Sequence, residues 1–325
     1  MDYNLLSPIS SLLIDDIKLS HPQTFGRKIK LHTDEIKPEL ENVDIAIIGV
    51  LEYRNSVDYI EQTLNLNEVR KSLYNLFPGN WTSKIIDLGD VLIGDQVNDT
   101  YFSVTHLVST LLIKNITPII IGGSQDLTYA KYRAYDNIKP MINIVNIDNS
   151  FDLGDSSKPI TNQSYIGKVI LEKPYNLFNY TAIGFQTYFN SQEEIDLMEK
   201  LYFEYERLGD ISYNIKSVEP ALRDADLVTI DLNSVKSSEV SLKQKFSPNG
   251  FNGREICAIS RYAGISNKVS SFGIYEYKPS INDEATAMLI AQMIWYFIEG
   301  YNCRVKDDNF QNPDEFNKYL SLIHI

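Results

Sequence analysis

The chain alternates short, continuously apolar runs with longer stretches of helical periodicity. The runs are DIAIIGV from Asp44, KIIDL from Lys84, TPIIIGG from Thr117, MINIVNID from Met141, TAIGF from Thr181, DLVTIDL from Asp226 and VSSFGIYEY from Val269. They are rich in β-branched residues and apolar at successive positions, the pattern of parallel strands covered on both faces. From Ser191 to Leu208 the pattern predicts a helix: Ser191 and Glu194 form a capping box, Ile195, Met198, Leu201, Tyr202 and Tyr205 make an apolar stripe, and Gly209 closes it. The most apolar segment, Ala285 to Ile298, is too short for a bilayer span and contains Gln292, so it predicts a buried helix. The alternation as a whole predicts an α/β fold, a three-layer α/β/α sandwich on a mainly parallel central sheet.

No Pro/Gly/Ser-rich linker and no internal repeat divides the 325 residues, which read as a single domain, 1–325. Residues 1–42 precede the first strong strand and predict an N-terminal arm packed on the sheet or on another subunit. Residues 307–325 form a tail that predicts a closing helix near Pro313, since proline suits a first helical turn.

Charge narrows the classes of partner. Thirty Lys and Arg against 43 Asp and Glu give a net charge of -13, a surface that repels phosphate backbones and anionic headgroups and so argues against nucleic acid and membrane insertion. The amino terminus has no basic region, and Asp15 and Asp16 interrupt its apolar stretch, which argues against a secretory signal and for a cytoplasmic protein. Cys257 and Cys303 are unpatterned, as reduced thiols are.

In an open parallel sheet, ligands bind beyond the carboxyl ends of the strands. Four runs end there in polar groups: Gln125 after IIIGGS, Asp148 and Asp152 after NIVNI, Asp231 after LVTI, and Glu276 after SSFGIY. Taken singly each has an ordinary reading, with GGSQ a glycine turn and Asp148 or Asp231 a helix cap. Taken together, carboxylates converging from separate strands raise one another's pKa and cost stability unless a cation compensates, which marks a metal site or its relic. The glycines match neither G-x-G-x-x-G nor a P-loop. None of His21, His32, His106 and His324 follows a strand in these loops, and neither Ser260 nor Thr128 has a His–Asp set near it in sequence.

These loops resemble those of the ureohydrolase family of arginase, agmatinase and formimidoylglutamase, nearest the last. The resemblance runs from the first strand to the helix around Trp295 and extends to the flanks NYTAIGFQ and MIWYFIEG. It implies an arginase-like fold and loops of the form GG(D/G)H, DAHxD and (S/T)xDxD that hold two bridged manganese ions. It also implies a Glu before a V-x-P turn, facing the guanidinium or formimino group. On this pattern Gln125 and Ser150 stand where the two metal histidines belong, Asp148, Asp152 and Asp231 are kept, Asn233 replaces an aspartate, and Glu276 is the substrate-pocket carboxylate. Lys236 stands where the family shows an acid. The family's shuttle histidine has no counterpart between Ile160 and Lys168.

A dinuclear centre makes hydroxide by lowering the pKa of bound water from about 15.7 toward 7, and nothing else in the chain supplies that chemistry. The expectation is therefore a degenerate metal site without cofactor, with no catalytic residue assigned. One alternative is a single Mg, Ca or Mn ion in an all-oxygen shell. Another is that Lys236 folds in to neutralise the acids. For function the leading expectation is a catalytically inactive ureohydrolase-fold subunit that binds a protein partner or joins a larger assembly, homo-oligomers included. The alternatives are a formimidoylglutamase-like hydrolase of linear amidines and a non-catalytic binder of a small cationic metabolite, for which Glu276 would be the anchor.

Overall fold

The computed structural model describes residues 1–58, 65–155, 157–240, 247–278 and 283–305. Its strands are β1 (Leu6–Ser7), β2 (Lys30–Leu31), β3 (Ile45–Gly49), β4 (Ile85–Val91), β5 (Thr117–Ile121), β6 (Ile142–Ile147), β7 (Leu177–Phe185), β8 (Glu204–Arg207), β9 (Leu227–Asp231) and β10 (Ser271–Tyr275). They form one sheet in the order β1-β4-β3-β5-β10-β9-β6-β7-β8, with β2 also on β4. All pairings are parallel except that of β1 with β4.

Both faces of the central strands are buried, and successive residues serve different layers. Ile45, Ile47, Ile119 and Ile121 pack with the helices Asn67–Asn75, Gly253–Ile265 and Glu284–Asn302. Ala46, Ile48 and Ile120 pack on the other side with Val97–Ile113, Leu127–Arg133 and Tyr165–Leu171. This is the expected sandwich, and its strands are unbroken apolar runs because neither face meets water. The apolar segment at Ala285 lies in the helix Glu284–Asn302, and no described helix is long and apolar enough to cross a membrane.

The arm before residue 42 lies on the sheet through β1 and β2. Helix prediction overran between Ser191 and Leu208. The capping box is present, but the helix ends at Lys200, Tyr202 takes a left-handed φ of 55°, and Glu204–Arg207 pairs with β7 as an edge strand. The apolar stripe through Tyr205 fitted both periods, and pairing along an open strand edge decided the outcome. The predicted closing helix near Pro313 falls outside the described residues.

Candidate functional site

Strands β5, β10, β9 and β6 are consecutive in the sheet, so the four polar strand ends picked out in the sequence meet at one edge. Gly122 and Gly123, with φ of 87° and 77°, turn the chain sharply after β5 and leave Gln125 fully buried. A Cβ on Gly123 would lie 2.1 Å from Leu127 Cδ1 and 2.7 Å from the Val50 carbonyl. Gly123→Ala is therefore expected to cost about 1–3 kcal/mol in a urea titration, and an unchanged midpoint would refute the requirement for this turn.

The Gln125 side chain is held as a donor. Its Nε2, which has two protons to give, has three acceptors within reach: Asn146 Oδ1 at 3.0 Å, the Tyr165 hydroxyl at 3.1 Å and Thr229 Oγ1 at 3.3 Å. Neighbours fix this orientation. The Tyr180 hydroxyl donates to the Phe151 carbonyl at 3.1 Å and so accepts from Asn146 Nδ2 at 3.2 Å, which turns Asn146 Oδ1 toward Gln125. Gln125 Oε1 is buried with no hydrogen-bond partner.

In the second loop Asp148 Oδ1 accepts from the backbone N–H of Asn149 at 2.6 Å and of Ser150 at 3.3 Å, while Ser150 Oγ donates to Asp152 Oδ1 at 2.8 Å. Burial, followed by the neighbouring Asp152 charge, holds the Asp148 carboxyl well above the usual range. In the third loop Asp231 Oδ1 accepts from the Asn233 N–H at 2.5 Å, and the Asn233 carbonyl accepts from Asn149 Nδ2 at 2.8 Å. Among the described residues no group of three or more His, Cys, Asp or Glu side chains is gathered so as to hold a metal ion.

Glu276, at φ 61° and 1% exposed, is clamped into the same edge. Its Oε1 accepts from the Gln125 N–H at 2.9 Å and Asn162 Nδ2 at 3.0 Å, and Oε2 lies 3.4 Å from Lys278 Nζ. Glu276 thus already faces an ammonium of its own chain. The expectation that Lys236 neutralises the acids needs correction. Its ammonium lies 3.9 Å from Glu239, three residues on, and its backbone N–H donates to the Phe251 carbonyl at 3.0 Å.

Sequence reasoning missed several members of this site. Asn146 and Thr229 are polar residues inside otherwise apolar strands, a signal that was available. Asp126 follows Gln125 and accepts from the Ser124 and Tyr101 hydroxyls, and burial pushes its carboxyl up to about 6. Asn162 and Lys278 reach the site from loops, and only the fold brings them there.

An α/β/α sandwich with its polar cluster at the carboxyl ends of four adjacent parallel strands has the ligand-binding arrangement of an open α/β sheet. The arginase family model matches residues 51–299, and the chain belongs to that family. It is 25% identical over 231 residues to formimidoylglutamase of Staphylococcus aureus (strain MRSA252), a match spanning 68% of this chain and 73% of the relative. Formimidoylglutamase from Bacillus subtilis superposes with a TM-score of 0.75 at 16% identity, covering 87% of this chain and 93% of that one. Formiminoglutamase of Trypanosoma cruzi, solved with Mn2+, gives 0.73 at 16% identity, over 83% and 97% of the two chains.

Proposed function

We propose that this chain is an arginase-family protein that has given up amidine hydrolysis and is kept as a protein-binding subunit. The observation that carries the reading is the Gln125 amide, which presents N–H groups to Asn146, Tyr165 and Thr229 where the family pattern places a metal histidine. A ligand must offer a lone pair, and the only one this side chain has is on its neutral Oε1, a weaker manganese ligand than an imidazole nitrogen. Ser150 offers only a neutral hydroxyl, already hydrogen-bonded to Asp152, and Asp148 Oδ1 already accepts two backbone N–H groups, so the residues present are a poorer donor set than a dinuclear manganese centre uses. Without the metals, no described group supplies hydroxide at neutral pH. The core is continuous on both faces of the sheet, which is the mark of a chain selected to fold, and exposed Phe102, Tyr202 and Tyr213 supply aromatic surface for a partner.

One observation favours the enzyme reading. Gln125 Oε1 is a buried acceptor without a partner, and such an atom calls for a water or a hard cation. A formimidoylglutamase-like hydrolase using one Mg, Ca or Mn ion would follow. The cationic-metabolite reading is weaker, since Lys278 occupies the Glu276 carboxylate.

The test is metal content after resupply with manganese, magnesium or calcium, together with formimidoylglutamate turnover, on wild type, Asp148→Ala and the triple variant Q125H/S150H/N233D. The expected result is no stoichiometric ion and no turnover in wild type. An ion bound one to one and lost in Asp148→Ala, or wild-type turnover above that variant, would overturn the reading. Turnover gained by the triple variant would date the loss of the centre as recent.

A further inference from the structure

A cavity of about 480 Å³ opens on the edge of the sheet opposite Gln125. Asp44 and Ser83, which line it, precede β3 and β4, Asn267 lies ahead of β10, and Tyr301 and Arg304 close it from the end of the helix Glu284–Asn302. It therefore sits at the amino ends of the parallel strands, a sheet's length from Gln125.

Its two charges are the informative feature. Arg304 lies with its guanidinium 4.0 Å from the centre of the Tyr301 ring, and donates Nε to the Gly264 carbonyl at 2.8 Å and Nη2 to the Val269 carbonyl at 2.9 Å. Both partners are neutral, and among the described residues no carboxylate forms an ion pair with it. Burial pulls this guanidinium down to about 10, as expected of a cation short of counter-charge. Asp44 lines the same cavity and is fixed by the Lys84 N–H on Oδ2 at 2.6 Å, which leaves Oδ1 to other donors. A cation and an anion that share a cavity without pairing ask for a ligand carrying both opposite charges.

We propose that this cavity binds a free α-amino acid as its zwitterion, the α-carboxylate on Arg304 and the α-ammonium on Asp44. The volume lies within the range of small-molecule sites and has room for a side chain beyond the two charged groups. The planar guanidinium, stacked on an aromatic ring, suits a carboxylate. The site stands whether or not the opposite edge hydrolyses anything.

Calorimetric titration of the full chain with a panel of L-amino acids tests this, each matched by its N-acetyl and methyl ester forms. At least one amino acid is expected to bind. Masking either end, or Asp44→Asn, should weaken it by about tenfold or more, the value of a hydrogen bond to a charged group. Asp44→Asn keeps the acceptor for the Lys84 N–H, so its fold should be intact by circular dichroism, and Arg304→Lys provides the second variant. Absence of binding across the panel, equal binding by the N-acetyl form, or binding unchanged in Asp44→Asn would overturn the proposal. Acetate binding as tightly as the amino acid would reduce the cavity to an anion site and overturn it too.

Discussion

Asp87→Ala is expected to remove about 3–5 kcal/mol of stability, a large part of the roughly 5–15 kcal/mol that holds a typical domain. Asp87 is fully buried in β4, where it meets Arg70 from the helix Asn67–Asn75, itself 2% exposed. Arg70 Nε and Nη2 donate to its two oxygens at 3.1 and 3.3 Å, the Tyr74 hydroxyl donates at 2.7 Å, and the Gly89 N–H at 2.9 Å. Truncation would leave the Tyr74 and Gly89 donors buried without partners. Arg70 would keep only Asp90, 2.7 Å away. The part of the loss that comes from stranding the Arg70 charge is absent when both members are replaced, so Arg70→Met with Asp87→Leu should cost less than Asp87→Ala alone, although Tyr74 and Gly89 still lose their acceptor. Urea titrations in which the single variant loses under about 1 kcal/mol would contradict this account.

Lys131→Met should act in the other direction, stabilising the protein by about 1–4 kcal/mol at neutral pH, the range found when buried charge gives way to packed apolar atoms. Lys131 is fully buried beneath the sheet edge, where its Nζ donates to the Val228 carbonyl at 3.0 Å and faces the Tyr275 ring at 5.4 Å. Burial alone drives its pKa well below 10.5. The folded chain holds this proton less tightly than the unfolded chain does, so the lysine opposes folding at neutral pH and the penalty shrinks as pH rises toward about 10.5. The gain from Lys131→Met should shrink with it. Urea midpoints for both proteins at several pH values check the slope, and a gain independent of pH up to 10 would mean that packing, not charge, is responsible.

The seven apolar runs and their parallel arrangement were legible because a strand buried on both faces has a composition that no exposed element shares. The short strands β1, β2 and β8 were not, since β8 is EYER and its pairing with β7 depends on a neighbour distant in sequence. The site divided in the same way. Gln125, Asp148, Asp231 and Glu276 could be placed because each directly follows a readable strand. What they touch could not: Lys278 facing Glu276, Asn162 arriving from a loop, and Lys236 turning to Glu239 are side-chain choices made by packing.

The position of β10 has a consequence for synthesis. This strand lies between β5 and β9 at the middle of the sheet, yet it is the last to leave the ribosome. Until Ser271–Tyr275 emerges, the nascent chain carries two part-sheets whose facing edges are unpaired and apolar. Such edges recruit other chains. Between the synthesis of Asp231 and that of Ser271 both edges are therefore exposed together, and a truncation before residue 271 is expected to yield aggregate instead of a smaller folded protein.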